Sequence, residues 1–436
     1  MSLNAPSGAG PSAHPRMQRN LRLLPWWWVL RWAWFGEGIW VIYLTDERGL
    51  TLGEALIFEA VFSAVVIATE LPTGMIADRF GRRVSLLIGT TSVVFAFLAF
   101  GTSSSLWVLL SAYAFFAAAE TSFSGADSAM LYDSLKVVGR ERDFTKYYGR
   151  LNALVMGGIG AFTIVGSLLV NWFPLWVPFL LSAVATTPAI LLAWLFTEPP
   201  RTEERHAYFE TGRRAVALTV RTPSLFWLMV LMTATTTAIA TMGVFQQPFL
   251  RDAGIPLWGI GIGVAAQTGL GAIGSWMSER VGARLGLSRV FWLMPVGSAI
   301  ALVAAVPGTA WLFPLFIFPS LGWNVMYPHF TEYLARRTPE AVRASVISVS
   351  NLISGLLSVI VTPVVALGVD RLGFRPTLTA LAASLVAVIA IAYLAWLRAD
   401  RATPFEDGAP GDGRPDIDRP DIDAPDAPAI PSMPTV

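Results

Sequence analysis

Long apolar blocks, following one another with few charges between them, constrain this chain more than any other feature. Each block is about 20 residues long, the length that an α-helix needs to cross a hydrocarbon core of about 30 Å. Only 14% of the residues are charged, against about 25% in soluble globular proteins. The pattern therefore predicts an all-α membrane protein. The twelve predicted spans are roughly 25–44, 52–75, 84–103, 105–132, 148–170, 174–196, 224–250, 256–277, 289–307, 309–334, 343–368 and 376–397.

The long connection at 197–223 divides the chain into two halves of six blocks each. We therefore expect an N-terminal six-helix bundle at 25–196 and a C-terminal six-helix bundle at 224–397. The flanking segments, 1–24 and 398–436, are polar and rich in proline. Such segments cannot bury a core, so both are expected to be disordered tails.

Within the central connection, residues 206–220 (HAYFETGRRAVALTV) carry apolar side chains at helical spacing and two adjacent arginines. Two interpretations stay open for this segment. It either lies along the membrane surface as an amphipathic helix or is an ordinary solvated linker.

Basic residues are concentrated on one side of the predicted membrane. With the N-terminus inside, the inner segments hold 26 of the 31 arginines and lysines, and the outer loops hold four. Cytoplasmic loops carry such an excess, so both termini are predicted to be cytoplasmic. Only Lys136 and Lys146 are lysines, which is typical of a GC-rich bacterial genome and favours the bacterial inner membrane.

Several classes of function are disfavoured by composition and spacing. The net charge of +1 offers no surface for nucleic acid, and the absence of cysteine excludes disulfides and thiolate chemistry. His14, His206 and His329 are scattered and form no metal spacing. The glycines of 269–274 spell GxGxxG, but no strand precedes them as a dinucleotide site requires. We expect no enzymatic activity, no cofactor and no metal, and without a P-loop any transport must use a gradient.

A short charged turn interrupts the apolar sequence after the second span. It reads DRFGRR at 78–83, and a related turn, ERVGAR, follows the eighth span at 279–284. Two equivalent turns six spans apart indicate a duplicated six-helix unit. A third copy, DRLGFR at 370–375, falls on the outer side after span eleven and breaks this symmetry.

The first turn resembles the signature of the major facilitator superfamily, Gly-x-x-x-Asp-Arg/Lys-x-Gly-Arg/Lys-Arg/Lys. The resemblance covers about 25–397 and implies twelve helices in two bundles that work by alternating access. Glu70–Thr73 and Ser124–Lys136 are similar to segments of a bacterial branch of transporters. The defined positions of the signature are occupied by Gly74, Asp78, Arg79, Gly81, Arg82 and Arg83.

The resemblance also implies that this turn is a conformational latch. Asp78 would lie at the positive N-terminal end of helix eleven, near Arg343–Ser345, and Arg82 would pair with Asp133 at the end of helix four. Such a latch would favour the state that is open to the outside. The alternative is a basic loop that only sets the topology.

Five acidic residues fall inside predicted spans of the first half, where an ionisable side chain is a functional hypothesis by default. By helical rise, Glu37 and Glu120 lie near the membrane midplane, where transporters bind substrate and coupling ions. Glu59, Glu70 and Asp127 lie nearer to the faces. We expect Glu37 or Glu120 to carry a coupling proton, with the other three as further candidates. Buried ion pairs or interhelical hydrogen bonds are the alternative, and Arg31 is a possible structural partner for Glu37.

Polar and aromatic side chains of spans seven and ten, with Trp34 in span one, suit a pocket for a small organic molecule. Threonines that bond their own helix, and aromatic residues at the membrane interface, are the structural alternative. The candidates are Trp34, Thr237, Gln246, Trp323, Asn324 and Tyr327.

The sequence thus predicts a monomeric secondary transporter in the lipid bilayer that exports a small organic substrate, a drug or metabolite, in exchange for protons. No antiporter motif is present in span five, and span four lacks the arginine of many proton-coupled relatives. Proton-coupled nutrient uptake therefore stays open, as does a sensor or assembly protein on the same fold.

Overall fold

A computed structural model describes residues 13–200, 208–305 and 313–402. Its secondary structure is helical throughout these residues. The helices are α1 (Ala13–Leu30), α2 (Trp40–Ile42, continued by a π-helical turn at Tyr43–Glu47), α3 (Leu52–Phe80), α4 (Arg82–Thr102), α5 (Leu106–Phe123), α6 (Ala126–Val137), α7 (Phe144–Leu169), α8 (Val177–Leu195), α9 (Tyr208–Arg221), α10 (Pro223–Asp252), α11 (Leu257–Leu285), α12 (Leu287–Ala305), α13 (Phe313–Arg337), α14 (Glu340–Leu372) and α15 (Phe374–Ala402).

The helices follow the predicted apolar blocks in order and are consistent with twelve spans. Within the described ranges, eight helices are long and apolar enough to cross a membrane. We call the face at which α1 begins and α15 ends the inner face, and the opposite face the outer face. The distribution of arginine and lysine predicts that the inner face is cytoplasmic.

The first predicted span is not one continuous helix, and the predicted N-terminal tail is partly wrong. α1 begins at Ala13 and ends at Leu30, and an irregular segment at 31–39 separates it from α2. Residues 13–24 belong to α1, and the side chain of Asn20 within it is buried and bonded. It donates to the carbonyl of Thr197 at 2.7 Å and accepts from its N–H at 3.0 Å, which ties α1 to the segment after α8.

The fourth predicted span is also broken. α5 ends at Phe123 and α6 begins at Ala126, and Gly125 between them has φ +75°, a conformation that glycine adopts without strain. At the C-terminus, α15 extends to Ala402, so residues 398–402 of the predicted tail are helical. The rest of both predicted tails, 1–12 and 403–436, lies outside the described residues.

Helices α1 to α8 form one bundle and α10 to α15 the other, and the two meet along two pairs of helices. α3 packs along α14, and α7 packs along α11. Aromatic side chains fill the core of the first bundle, as where the ring of Trp27 meets those of Phe123 and Phe196 at 5.5 and 5.9 Å. The crossing helices leave room for a cavity between the bundles.

The central connection contains α9, which favours the amphipathic-helix interpretation over the linker. α9 packs against α10 and α14 of the second bundle. Its axis bends by 98° from the first part of α10, so it runs across the direction of the spanning helix. Residues 201–207 of the connection lie outside the described residues.

Candidate functional site

The break in span one is stabilised by a side chain from the other bundle. Gln247 of α10 donates its amide N–H to the carbonyl of Glu37 at 2.9 Å, and its amide oxygen accepts from the N–H of Val41 at 3.0 Å. Ser182 of α8 accepts from the N–H of Phe35 at 2.9 Å. An irregular backbone inside a membrane needs such partners because lipid supplies none.

Small residues let this break approach the neighbouring helices closely. A Cβ added at Gly38 would lie 2.9 Å from the Cα of Gly261 on α11, and one at Gly166 on α7 would clash with the carbonyl of Phe35. Close approach of this kind is typical of helix contacts in membranes. It brings the backbone around Glu37 to the boundary between the two bundles.

Two adjoining chambers occupy the space between the bundles. The polar chamber, of about 310 Å³, contains Glu37 and several amide side chains. The apolar chamber, of about 230 Å³, exposes mostly carbon on its wall, although six of its thirteen lining residues are serines or threonines. The residues shared by both linings are Glu59, Ala240 and Val244.

Two carboxyl groups face this cavity without a basic partner. Glu59 accepts a hydrogen bond of 2.7 Å from the hydroxyl of Tyr113. One carboxyl oxygen of Glu37, Oε2, is buried and has no hydrogen-bond partner. Both residues line the polar chamber. Among the described residues that line the two chambers there is no arginine, lysine or histidine.

Glu59 is therefore part of the cavity, although its depth in the sequence placed it nearer to a membrane face. Counting residues along one helix gives depth but not the direction of a side chain. The break in span one lets Glu37 reach the cavity wall that Glu59 of α3 also lines. Glu70, further along α3, is exposed on the surface.

The other acids of the first bundle lie in a different place, around Arg31. Arg31 is 6% exposed and pairs with Asp127 at 2.7 Å, so the expected pairing with Glu37 is wrong. Its guanidinium lies 4.5 Å from the ring centre of Trp27 and 4.6 Å from that of Phe123. Glu120 also interacts electrostatically with Arg31 and Asp127, and it is not among the lining residues of the cavity. The expectation that Glu120 faces the cavity is therefore not met.

The predicted substrate residues divide between the cavity and the helix contacts. Thr237 lines the apolar chamber and Gln246 the polar one. Trp34 instead packs on Phe97 and Phe116, with ring centres 6.1 and 5.1 Å apart. Its ring contributes to the aromatic core of the first bundle.

The three candidates on α13 are not among the cavity-lining residues either. Trp323 and Tyr327 pack on each other with ring centres 5.3 Å apart. Asn324 accepts from Ser275 of α11 at 3.2 Å and donates to the carbonyl of Ser320 at 2.8 Å. Asn324 thus joins two helices of the second bundle. Sequence reasoning missed Gln267, which lines the polar chamber, and Tyr113, whose partner Glu59 lies far away in the chain.

The charged turn at 78–83 connects α3 to α4. Gly81 has φ +103°, and Arg82 forms an ion pair with Asp133. The carboxylate of Glu198, which sequence reasoning missed, accepts from the backbone N–H groups of Arg82 and Arg83 at 2.8 and 2.9 Å. It therefore caps α4 at its positive end.

The remaining residues of the turn lie at the inner face. Arg83 also donates to the carbonyl of Trp194 at 2.6 Å, and the guanidinium of Arg79 lies 5.5 Å from the ring centre of Phe80. Asp78 lies near the end of α3 on an exposed position. The side chain of Arg343, its implied neighbour, lies outside the described residues.

Comparison with known proteins identifies the family. The sequence profile of the Major Facilitator Superfamily matches residues 29–363. The chain belongs to the major facilitator superfamily. It is a multi-pass membrane transporter of that superfamily.

Solved structures of other transporters of this superfamily share the fold. The nucleoside transporter NupG superposes with a TM-score of 0.74 at 13% identity, covering 87% of this chain and 99% of NupG. A POT family transporter in complex with 5-aminolevulinic acid gives 0.72 at 13% identity over 87% and 96% of the two chains. A bacterial homologue of the lysosomal transporter Spinster gives 0.64 at 16% identity over 90% and 98%. At these identities the likeness extends to the fold alone.

Two curated relatives match over a short stretch. An uncharacterised MFS-type transporter, YqjV of Bacillus subtilis (strain 168), is 30% identical over 117 residues, and a Na⁺, Li⁺, K⁺/H⁺ antiporter of Planococcus maritimus is 33% identical over 123 residues. Each match spans 27% of this chain and 28% of the relative's length.

The superfamily fold is closed at its outer face in this structure. Asp370 of α14 accepts from the hydroxyl of Thr51 and the N–H of Gly53, both at 3.1 Å, at the start of α3. Arg251 at the end of α10 pairs with Asp46 at 3.1 Å. Asp370 belongs to the third copy of the charged turn, so this copy joins the two bundles at the outer face.

Towards the inner face the same two helices separate. Ser63 of α3 forms a hydrogen bond with Ser358 of α14 at 3.0 Å. One turn further along α3, Ile67 lies so close to Gly355 that a Cβ added there would be 3.1 Å from its side chain. Leu71 and Gly74 continue this face of α3 at helical spacing. Leu71 is 57% exposed, and a Cβ added at Gly74 would meet nothing within 4 Å. The cavity is therefore closed to the outer face and opens towards the inner face.

Proposed function

We propose that this protein is a secondary transporter that exports a small organic molecule across the bacterial inner membrane in exchange for protons. The observation that carries the proposal is the pair of carboxylates, Glu37 and Glu59, in a cavity between two bundles. An uncompensated charge at this depth is unfavourable by at least ~2.5 kcal/mol. A proton or a bound cation relieves that penalty. Protonation of the two acids is therefore linked to the binding of substrate in the cavity.

The two acids have different surroundings, which supports different roles. Glu37 has an unpaired oxygen and no side-chain donor to hold its charge, so we assign it the coupling proton. Glu59 receives the Tyr113 hydroxyl and borders both chambers, so we assign it to the substrate. A positive group held at Glu59 would repel a proton at Glu37, which is the competition that exchange requires.

Alternating access follows from the way in which the bundles meet. The outer contacts of Asp370 and Gln247 join the two bundles, and towards the inner face α3 is free of close contacts at Leu71 and Gly74. A rocking motion that breaks the first set and closes the second would move the cavity from one side to the other. In the outward-open state, Asp78 would approach the start of α14, and the Arg82–Asp133 pair would hold the turn in place.

Exchange against protons also agrees with one of the relatives. The Planococcus maritimus protein that matches part of this chain is named as an antiporter that uses H⁺. With protons moving inwards down their gradient, exchange exports the other species. The assigned direction is therefore outward.

Transport assays in proteoliposomes test this function. A thermal-shift screen of a chemical library against the full-length protein supplies a ligand, which is then labelled and followed in vesicles. Glu37→Gln should retain counterflow of the labelled compound, since Gln resembles the protonated acid, and should lose transport driven by a pH gradient. Glu120→Gln, which neutralises an acid outside the cavity lining, serves as the matched control and should behave like the wild type. Full pH-driven transport by Glu37→Gln would overturn the assignment of the proton.

A further inference from the structure

We propose that the substrate is an amphiphilic organic cation, whose positive group binds beside Glu59 and Glu37 and whose apolar body fills the apolar chamber. This inference rests on the proposed transport function and names the chemical class that the cavity would carry. It draws on three features of the cavity: its charge, its unsatisfied polar atoms and its division into two chambers.

The charge of the cavity is negative without a counter-charge inside the protein. α2 and its preceding break contribute Glu37, and α3 contributes Glu59. Among the residues that the structure describes, the elements that face them supply neutral groups, namely Tyr113 of α5, the amides of α10 and α11, and hydroxyl groups of α13 and α14. Arg31, the basic residue buried in this bundle, is engaged with Asp127. An anionic substrate would meet two carboxylates and no base, whereas a cation would be held by both.

Unsatisfied polar atoms at the same place indicate a ligand with polar character. Gln246 is 1% exposed, lines the polar chamber and has an amide nitrogen without a partner. The Oε2 atom of Glu37 is equally buried and unpaired. Buried polar atoms in proteins are nearly always hydrogen-bonded. Their lack of partners on the protein side is explained if a ligand or its associated water bonds to them.

The apolar chamber distinguishes an organic cation from a metal ion. It shares Glu59 with the polar chamber, and Phe62, Leu56 and Val365 contribute to its wall. An alkali-metal ion needs only oxygen ligands and would leave this chamber unused. A hydrocarbon or aromatic group attached to an ammonium group would fill it, and its burial would contribute roughly 25 cal/mol per Å² of apolar surface.

The substrate and the proton should compete, because a protonated carboxyl group no longer attracts a cation. Affinity for the cation should therefore rise as the pH rises, and binding should release protons from the cavity. The titratable groups that face the cavity are Glu37, Glu59 and Tyr113, and none of the amides or hydroxyl groups opposite them changes charge near neutral pH.

A pair of isosteric ligands provides the test. Phenyltrimethylammonium and tert-butylbenzene have the same shape, but the first carries a positive nitrogen where the second has a carbon. Isothermal titration calorimetry with the full-length protein in nanodiscs at pH 8 should show binding of phenyltrimethylammonium at least tenfold tighter than that of tert-butylbenzene. At pH 6 the affinity for the cation should be lower. Glu59→Gln should weaken binding of the cation at least tenfold, and Glu120→Gln should leave it within twofold.

Other outcomes would overturn the substrate class. Equal binding of the two isosteres would show that charge plays no part, and stronger binding of benzenesulfonate would assign the cavity to anions. Binding of Na⁺ or K⁺ alone, with none of phenyltrimethylammonium, would assign it to a metal cation. If the cation does not bind while a library compound is still transported in a pH-driven way that Glu37→Gln abolishes, the substrate class is wrong and the proposed function stands. If that pH-driven transport is absent as well, the proposed function fails.

Discussion

The first bundle buries acidic side chains in two places, and the two places treat them in opposite ways. Glu37 and Glu59 face a cavity, and no basic residue is among the described residues that line it. Asp127 is instead paired with Arg31, whose guanidinium is surrounded by aromatic rings. A carboxyl group of the first site can gain or lose a proton or a bound cation without breaking an ion pair. At the second site, Asp127 is held in an internal ion pair with Arg31.

This difference shows that burial of an acid does not by itself define its role. Glu120 lies deep within span four, yet its nearest charged neighbours are Arg31 and Asp127. Glu59 lies only a few turns from the start of α3, yet it borders both chambers. Whether a buried acid takes part in transport or stabilises the fold therefore depends on its partners rather than on its depth in the membrane.

The largest effect should come from removing the base of the paired site. Arg31→Met leaves Asp127 buried without its counter-charge, and breaking a buried pair in this way lowers stability by about 3–5 kcal/mol. We expect little folded protein in the membrane and a lower temperature of unfolding in detergent, measured by fluorescence-detected size exclusion. Arg31→Met with Asp127→Leu should recover much of the loss, because two apolar residues replace the pair. If Arg31→Met is as stable as the wild type, the ion pair with Asp127 does not stabilise the fold, and this difference between the two acid sites does not exist.

Neutralising the cavity acids should abolish transport but should not lower stability. Glu37→Gln with Glu59→Gln removes two like charges from the cavity, so the unfolding temperature should be unchanged or higher. Transport driven by a pH gradient should be abolished in proteoliposomes, because neither a proton nor a cation can be exchanged. A double variant that unfolds at a much lower temperature would place these acids in a structural role, like Asp127.

A smaller effect is expected from the hydrogen bond that orients Glu59. Tyr113→Phe removes the hydroxyl donor, and a hydrogen bond to a charged group contributes about 1.5–3 kcal/mol. Affinity for phenyltrimethylammonium should fall by about tenfold, since the carboxylate loses its fixed orientation. The variant should also unfold at a somewhat lower temperature, because the folded state loses the same hydrogen bond. Unchanged affinity would show that Tyr113 only fills space.

The smallest effect should follow Glu120→Gln. Glu120 is not among the residues that line the cavity, and its Oε1 atom has no hydrogen-bond partner that the substitution would remove. We expect a change in stability below about 1 kcal/mol, in the range of a modest electrostatic contact, and transport within twofold of the wild type. Loss of pH-driven transport in this variant would move the coupling proton from the cavity to the Arg31 site.

The fold could be predicted from the sequence because both of its signals are local. The apolar blocks are set by the thickness of the bilayer, and the charged turn at 78–83 is contiguous in the chain. The helices α3, α4 and α14 accordingly lie where the blocks predicted them.

The site could be predicted only in part because its contacts join distant residues. Glu37 was predicted to be a cavity acid from its depth in span one, but Tyr113 lies 54 residues from Glu59 and Asp127 lies 96 residues from Arg31. Hydropathy alone cannot show such pairings. The bounds of the break at 31–39 could not be predicted from hydropathy either, since two of its backbone partners come from Gln247 in the other bundle.

Gln247 also links the speed of transport to the break in span one. In the inward-open structure this side chain supplies partners for the Glu37 carbonyl and the Val41 N–H from across the bundle interface. When the bundles move apart at the outer face, these two backbone groups must find water before the next state is reached. The transition state for outward opening thus has two broken hydrogen bonds in a poorly hydrated place. A replacement such as Gln247→Leu, which never forms them, would lower the barrier to opening and turn a gated carrier into one that changes state without waiting for its cargo.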